Sequence, residues 1–148
     1  AAQGARELPY SDFHVDYRKT ALCPGELLTR IVVPVPGPGS VQRFRKVGTR
    51  AAQAISKVVV ALGARQENGH LVDVRIAAGS VAAIPVRLRA AEQVCEGATL
   101  GAGLADRAAT AAQAEVRPID DVRSTAEYRR WVLGRVLRRM LLSIPPAT

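Results

Sequence analysis

The chain has 148 residues, 48% hydrophobic and 23% charged, with a formal charge of +8, a size and composition that suit one globular core. The cations are interleaved with acids and aromatics reach only 4%, which argues against a single-strand nucleic-acid binder. No run approaches membrane-spanning length, and Cys23 and Cys95 stand far apart without metal-ligand spacing, so neither a membrane nor a metal is an expected partner.

Residues 1–16 show no sustained period and read as an incoming linker, with Tyr10, Phe13 and Tyr17 available to pack on whatever lies upstream. There is no apolar leader segment in it, and two reduced thiols fit a cytoplasmic setting. Pro24-Gly25-Glu26 is a turn. The β-branched run Leu27–Val33 then predicts a strand stopped by Pro34, with Leu28 as one of its core residues. Pro34–Ser40 cannot be regular structure, because its prolines lack ladder donors.

Val41–Val47 predicts a second strand and Ile55–Gln66 a third. Between them the chain breaks at Gly48-Thr49-Arg50. Gly48 permits a positive φ or a close approach by another group, while Lys46 and Arg50 add donors that a phosphate or an electron-rich ring would use. A plain surface connection carrying two solvated cations satisfies the same residues.

Glu67-Asn68-Gly69-His70 is the best turn signal in the chain. A two-residue Asn-Gly loop would set Leu62 opposite Arg75 and Val60 opposite Ala77, mixing apolar with charged. A three-residue loop sets Leu62 opposite Val74 and Val60 opposite Ile76, which keeps one face apolar, so the three-residue loop is the expected one. His70 then lies exposed at the hairpin mouth.

Beyond Gly79-Ser80, Pro85 suits a first helical turn, with Val86, Ala90 and Val94 at helical spacing and Gly97 as the stop. Arg87, Arg89, Glu92, Gln93 and Glu96 would form its wet side. A second helix covers about Leu100–Ala114, packing through Leu104, Ala108, Ala111 and Ala112, and Pro118 breaks it. The last helix opens with Ser124 and Glu127 in a capping-box spacing, and Val132, Leu133, Val136, Leu137 and Met140 make a broad apolar arc. Arg129 falls inside that arc and must find acceptors, with Asp120, Asp121 or nearby carbonyls as candidates.

The order of elements implies an α+β fold, a small antiparallel sheet of three to four strands packed against a three-helix bundle. Candidate chemistry is sparse. His14 and His70 sit in linker and turn contexts, Asp120-Asp121 suits a helix N-terminus, and Gly101-x-Gly103 lacks the rest of a phosphate loop. By itself the chain reads as something other than a complete enzyme, with no catalytic residue to name.

The segment FRKVGTRAAQAISKV resembles the one that follows the FAD-binding module in the flavoprotein subunit of molybdenum hydroxylases, the xanthine dehydrogenase and carbon monoxide dehydrogenase family. Four further pieces agree in order: YRKTALCPGELLTRIVVP, VRIAAGSVAAIPVRLRAAE, RPIDDVRSTAEYRR and VLGRVLRRML. The resemblance implies a C-terminal domain over 17–142, a linker over 1–16 from an absent FAD-binding module, and a tail over 143–148. It also implies that Leu28 and Lys46 neighbour the flavin, with Gly48, Thr49 and Arg50 in the adjacent loop. FAD would be held mainly by the upstream module, and molybdopterin and 2Fe-2S clusters would belong to partner subunits. Electrons would pass from the clusters through FAD to NAD or another acceptor. Two departures stand out. Mammalian xanthine dehydrogenases carry acids in this loop, where this chain has Ala51-Ala52-Gln53-Ala54, and Cys23 replaces a residue that is commonly polar or basic. A stand-alone interaction or dimerisation module of the same fold is the alternative reading.

Overall fold

The Asn68-Gly69 turn sets the sheet. In the computed structural model, which describes residues 4–145, both residues take positive φ (50° and 81°), as a two-residue type I′ hairpin requires. The strands it joins are β4 (Val58–Glu67) and β5 (His70–Gly79), paired Glu67 to His70 and Arg65 to Val72. The register then shifts. An extra residue on β5, Asp73 at φ 53°, bulges out, and beyond it Leu62 faces Ile76 and Val60 faces Ala78. The expected three-residue loop and its Leu62–Val74 pairing are therefore wrong. The physical demand behind that expectation still holds, because the bulge puts Leu71, Val74, Ile76 and Ala78 on the same buried face as Val58, Val60, Leu62 and Ala64.

β3 (Ser40–Val47) pairs antiparallel with β4, and the short β6 (Val86–Arg87) pairs with β5, giving a sheet of order β3-β4-β5-β6. Pro85 thus precedes a strand rather than opening a helix, and the helix α2 runs only from Arg89 to Cys95. It ends at Gly97, whose φ of 70° is the left-handed stop expected of it. Helices α3 (Ala102–Glu115) and α4 (Ala126–Leu142) complete the layer. All three helices cover one face of the sheet, and their buried side chains, including Leu104, Ala108, Ala112, Leu133 and Leu137, share one core with it. The alanines of α3 allow α4 to approach so closely that a Cβ on Gly134 would meet the Gln113 side chain at 2.6 Å.

Glu92 and Glu96, expected on the wet side of α2, face the sheet instead. Glu92 is buried; its Oε1 accepts the Ile76 N–H at 2.8 Å and the Arg87 Nε–H. Glu96 accepts from the backbone amides of Asp73 and Val74 at 3.0 and 2.8 Å, across the bulge. The cap of α4 is also displaced by one residue. Thr125, not Ser124, accepts the Tyr128 N–H with its side chain, while the Ser124 amide donates to Asp121.

Residues 4–39 lie outside this core. A single turn α1 (Tyr10–Phe13) leads into a small ladder of β1 (His14–Asp16) and β2 (Lys19–Thr20) within the stretch expected as linker. The strand expected at Leu27–Val33 does not form. The segment has no ladder partner among the described residues, and Leu27, Ile31 and Val33 are 84%, 72% and 75% exposed. Leu28 is accordingly half exposed rather than core. The four-stranded count survives only because β6 takes the missing strand's place. Residues 1–3 of the expected linker and 146–148 of the tail lie outside the described residues.

Candidate functional site

Strand alternation decides what faces where on β3. Val41 and Val47 pack against the core, so Gln42, Phe44 and Lys46 project from the opposite, uncovered face. Phe44 is exposed there, beside the small residues Ala61 and Ala77 in its cross-strand row. A shallow trough of about 480 Å³ runs over that row, bounded by Phe44, Arg75 and Arg87.

At the end of β3 the chain leaves the sheet at Gly48 and returns at Lys57, whose N–H donates to the Val47 carbonyl at 2.7 Å. The excursion is held from inside: Arg50 donates through Nη2 and Nε to the Gln53 carbonyl at 2.7 and 3.2 Å, and Gln53 itself takes φ 49°. Gly48 is needed for space, not for a left-handed backbone. A Cβ added there would stand 3.1 Å from the Ala54 Cβ, so the close approach allowed by this glycine is to its own loop.

A cleft of about 380 Å³ opens against this turn, lined by Arg45, Lys46, Val47, Gly48, Arg50 and Ala51. Three cations and no acid border it, which suits an anionic or electron-rich group. Of the residues singled out in the sequence, Lys46, Gly48 and Arg50 come together here. Thr49 stands between Gly48 and Arg50 without lining the cleft, and Leu28 lies in the exposed segment and does not line it either. Arg45 is the residue the sequence reading missed. Its signal was a cation at a position that strand alternation gives to the core face.

Beneath the cleft, three segments converge at the same sheet end. Arg129, 4% exposed, donates through Nη1 to the carbonyls of Lys57 and Ser80 at 2.8 and 2.9 Å and through Nη2 to Asp121 Oδ1 at 2.8 Å. The expected burial and pairing of Arg129 are thus found, with two carbonyls and one of the proposed aspartates as acceptors. Asp121 also accepts the amides of Arg123 and Ser124, and these bonds, the Arg123 one foremost, hold its carboxyl below the usual carboxylate range. Asp120 accepts the Ala126 N–H, so both acids serve the start of α4. His70 lies at the hairpin mouth as expected, its Nδ1 3.0 Å from the Gly97 carbonyl. Among the described residues no cluster of His, Cys, Asp and Glu could hold a metal ion, and no helix is long and apolar enough to cross a membrane.

A small antiparallel sheet with three helices on one face, and a cationic cleft where its edge strand breaks, defines an α+β domain of the expected class. The CO dehydrogenase flavoprotein C-terminal domain model matches residues 43–144, and the chain belongs to that family. It is 35% identical over 141 residues to the carbon monoxide dehydrogenase medium chain of Afipia carboxidovorans, covering 93% of this chain and 47% of that one. It is 27% identical over 140 residues to the xanthine dehydrogenase FAD-binding subunit of Escherichia coli O157:H7, covering 94% and 48%. Among solved structures, it superposes on carbon monoxide dehydrogenase from Hydrogenophaga pseudoflava with a TM-score of 0.84 at 27% identity, covering 90% of this chain and 46% of that one. The chain spans about half the length of the curated relatives it matches.

Proposed function

We propose that this chain is the C-terminal part of the FAD subunit of a molybdenum hydroxylase of the xanthine dehydrogenase and carbon monoxide dehydrogenase type. The observation that carries the reading is the meeting of Lys46, Gly48 and Arg50 in one acid-free cleft, within a domain of that family. FAD, when bound, exchanges electrons between iron–sulphur clusters and an acceptor such as NAD. The residues present fit one edge of that cofactor. Lys46 and Arg50 supply positive charge for a flavin ring, Gly48 and Thr49 shape the turn beside it, and Leu28 packs on it from the exposed segment. They do not supply a pyrophosphate cradle, which needs a glycine-rich loop running into a helix. An upstream FAD-binding module holds the cofactor in the main.

In this reading residues 1–16 link that module to the domain at 17–142, and 143–148 form a tail. The exposed apolar side chains between Leu27 and Val35 then serve as an arm toward the upstream half. Iron–sulphur and molybdopterin subunits are the partners, and the cytoplasm, which suits two free thiols, is the setting. Membership of the flavoprotein family disfavours the alternative of a stand-alone interaction module. The test is Lys46→Ala in the full-length subunit. Reduction adds negative charge to the flavin, so loss of a neighbouring cation should lower its midpoint potential or its occupancy. A variant with unchanged flavin content and potential would reduce the cleft to a surface connection.

A further inference from the structure

Arg129 does not line the cleft, yet it binds the ends of both loops at that end of the sheet. Its Nη1 bridges two carbonyls 23 positions apart, Lys57 at the return of the Gly48–Ser56 excursion and Ser80 at the exit of β5. Lys57 is also fixed through its N–H to Val47, so the two ends of the excursion and the guanidinium form one continuous chain of bonds. The Lys57 ammonium sits 5.1 Å from the Tyr128 ring centroid, a second tie between the same loop end and α4. Ser80 itself is held at φ 64°, a conformation that a serine keeps only when its surroundings impose it. Asp121 supplies the opposite charge, and the same Oδ1 also accepts the amides of Arg123 and Ser124, at the approach to α4.

A buried guanidinium is costly for a fold to hold, and an apolar side chain of the same length would fill this place in the α4 arc more cheaply. What the charge provides is direction, a rigid fork satisfying three acceptors from three segments at once. We propose that Arg129 is a positioning residue: it fixes the Gly48–Ser56 excursion against the Ser80 turn and so presets the cations of the cleft. The structural half of this stands on the bonds alone, and the functional half rests on the flavin reading above.

The experiment uses the full-length flavoprotein subunit with Arg129→Met and, because the first variant risks misfolding, Arg129→Lys. The lysine has one charged head in place of a fork and can keep a single carbonyl. Two readouts are compared: hydrogen exchange of the Lys57 amide, which donates to the Val47 carbonyl where the excursion closes, and the flavin midpoint potential. The Lys57 amide should exchange about tenfold faster or more in Arg129→Met and by less in Arg129→Lys, since each bond lost is a charged one. Amides in the middle of β4 and β5 should change little, and the flavin potential should shift in the same order. Wild-type exchange at Lys57 in a folded variant would overturn the positioning role outright. Faster exchange with an unshifted flavin would keep the clamp but overturn its link to the cofactor, while the flavin reading itself is decided separately by Lys46→Ala.

Discussion

The carboxylate of Glu92 accepts the backbone N–H of Ile76 at 2.8 Å and so does the work of a strand that is not there. On the same side of β5 the Ile76 carbonyl is met by the Leu88 N–H, after which the chain turns into α2 and no further backbone acceptor follows. Glu96, one helical turn on, serves the amides of Asp73 and Val74 in the same way. Two glutamates four residues apart thus finish an edge that would otherwise strand buried donors. Glu92→Ala should destabilise the protein by about 2–3 kcal/mol in denaturant titrations, since a buried amide and the Arg87 guanidinium both lose their acceptor. Glu92→Gln, which keeps the carbonyl, should cost less than half of that.

The bulge at Asp73 makes a sharp test of the hairpin. Because Asp73 sits at φ 53° and its ion pair with Arg65 is exposed, Asp73→Gly should change stability by no more than about 0.5 kcal/mol. Deleting Asp73 tests the bulge itself. It removes the extra residue and lets Ala64 pair with Val74 in an unbroken ladder that keeps Leu71, Val74 and Ile76 on the buried face. Both variants should therefore keep cooperative thermal unfolding, and a deletion that lost it would show that the bulge does more than restore the register.

The two thiols should differ in reactivity. Cys23 is exposed, while Cys95 is fully buried in the core, and burial pushes its pKa from an ordinary value of 9.0 up to about 11. A thiol reagent at neutral pH should label one site in the native protein and both in denaturant. The raised value also has a stability sign. The neutral thiol is the form the fold favours, so its contribution is complete below the ordinary thiol range and fades as pH rises from there toward about 11.

Asp121 predicts the acid limb. Its carboxyl is held below its ordinary value of 3.8, first by the Arg123 amide and then by the Arg129 and Ser124 bonds. A depressed carboxylate stabilises the fold above that ordinary value and loses its contribution as pH falls below it, so stability should drop on acidification in that window. Asp121→Asn should flatten this part of the stability–pH curve, and an unchanged acid limb would remove Asp121 from the account.

By itself this chain should take up FAD weakly or not at all. The cleft offers cations but no pyrophosphate cradle, and a few edge contacts cannot offset the cost of immobilising so large a ligand. Titration followed by flavin fluorescence checks this directly. Saturable binding in the micromolar range would mean that the cofactor's main site lies in this half.

Local periodicity carried most of what the sequence disclosed. The buried faces of β4 and β5, the apolar arc of α4 and the misfit of Arg129 within that arc were legible because each depends on spacing within a single element. Leu27–Val33 was misread for the opposite reason: a strand is completed by a neighbour, and β propensity does not say whether one is present. Glu92 and Glu96 looked like a wet face because helical spacing cannot show a sheet edge in want of acceptors. In the cleft, Lys46, Gly48 and Arg50 were found from the break in the strand pattern. Arg45 escaped because a cation at a core-parity position is informative only once the edge of the sheet is known.

The uncovered run from Leu27 to Val35 has a consequence for anyone handling this chain. It is rich in β-branched residues, carries one charge, Arg30, and precedes β3, an edge strand of the sheet. Such a run can template intermolecular cross-β pairing, which Arg30, Pro34 and the chain's net positive charge oppose. Salt, which screens that repulsion, should therefore shorten the shelf life of concentrated preparations, and a lysine placed at Ile31 or Val33 should lengthen it.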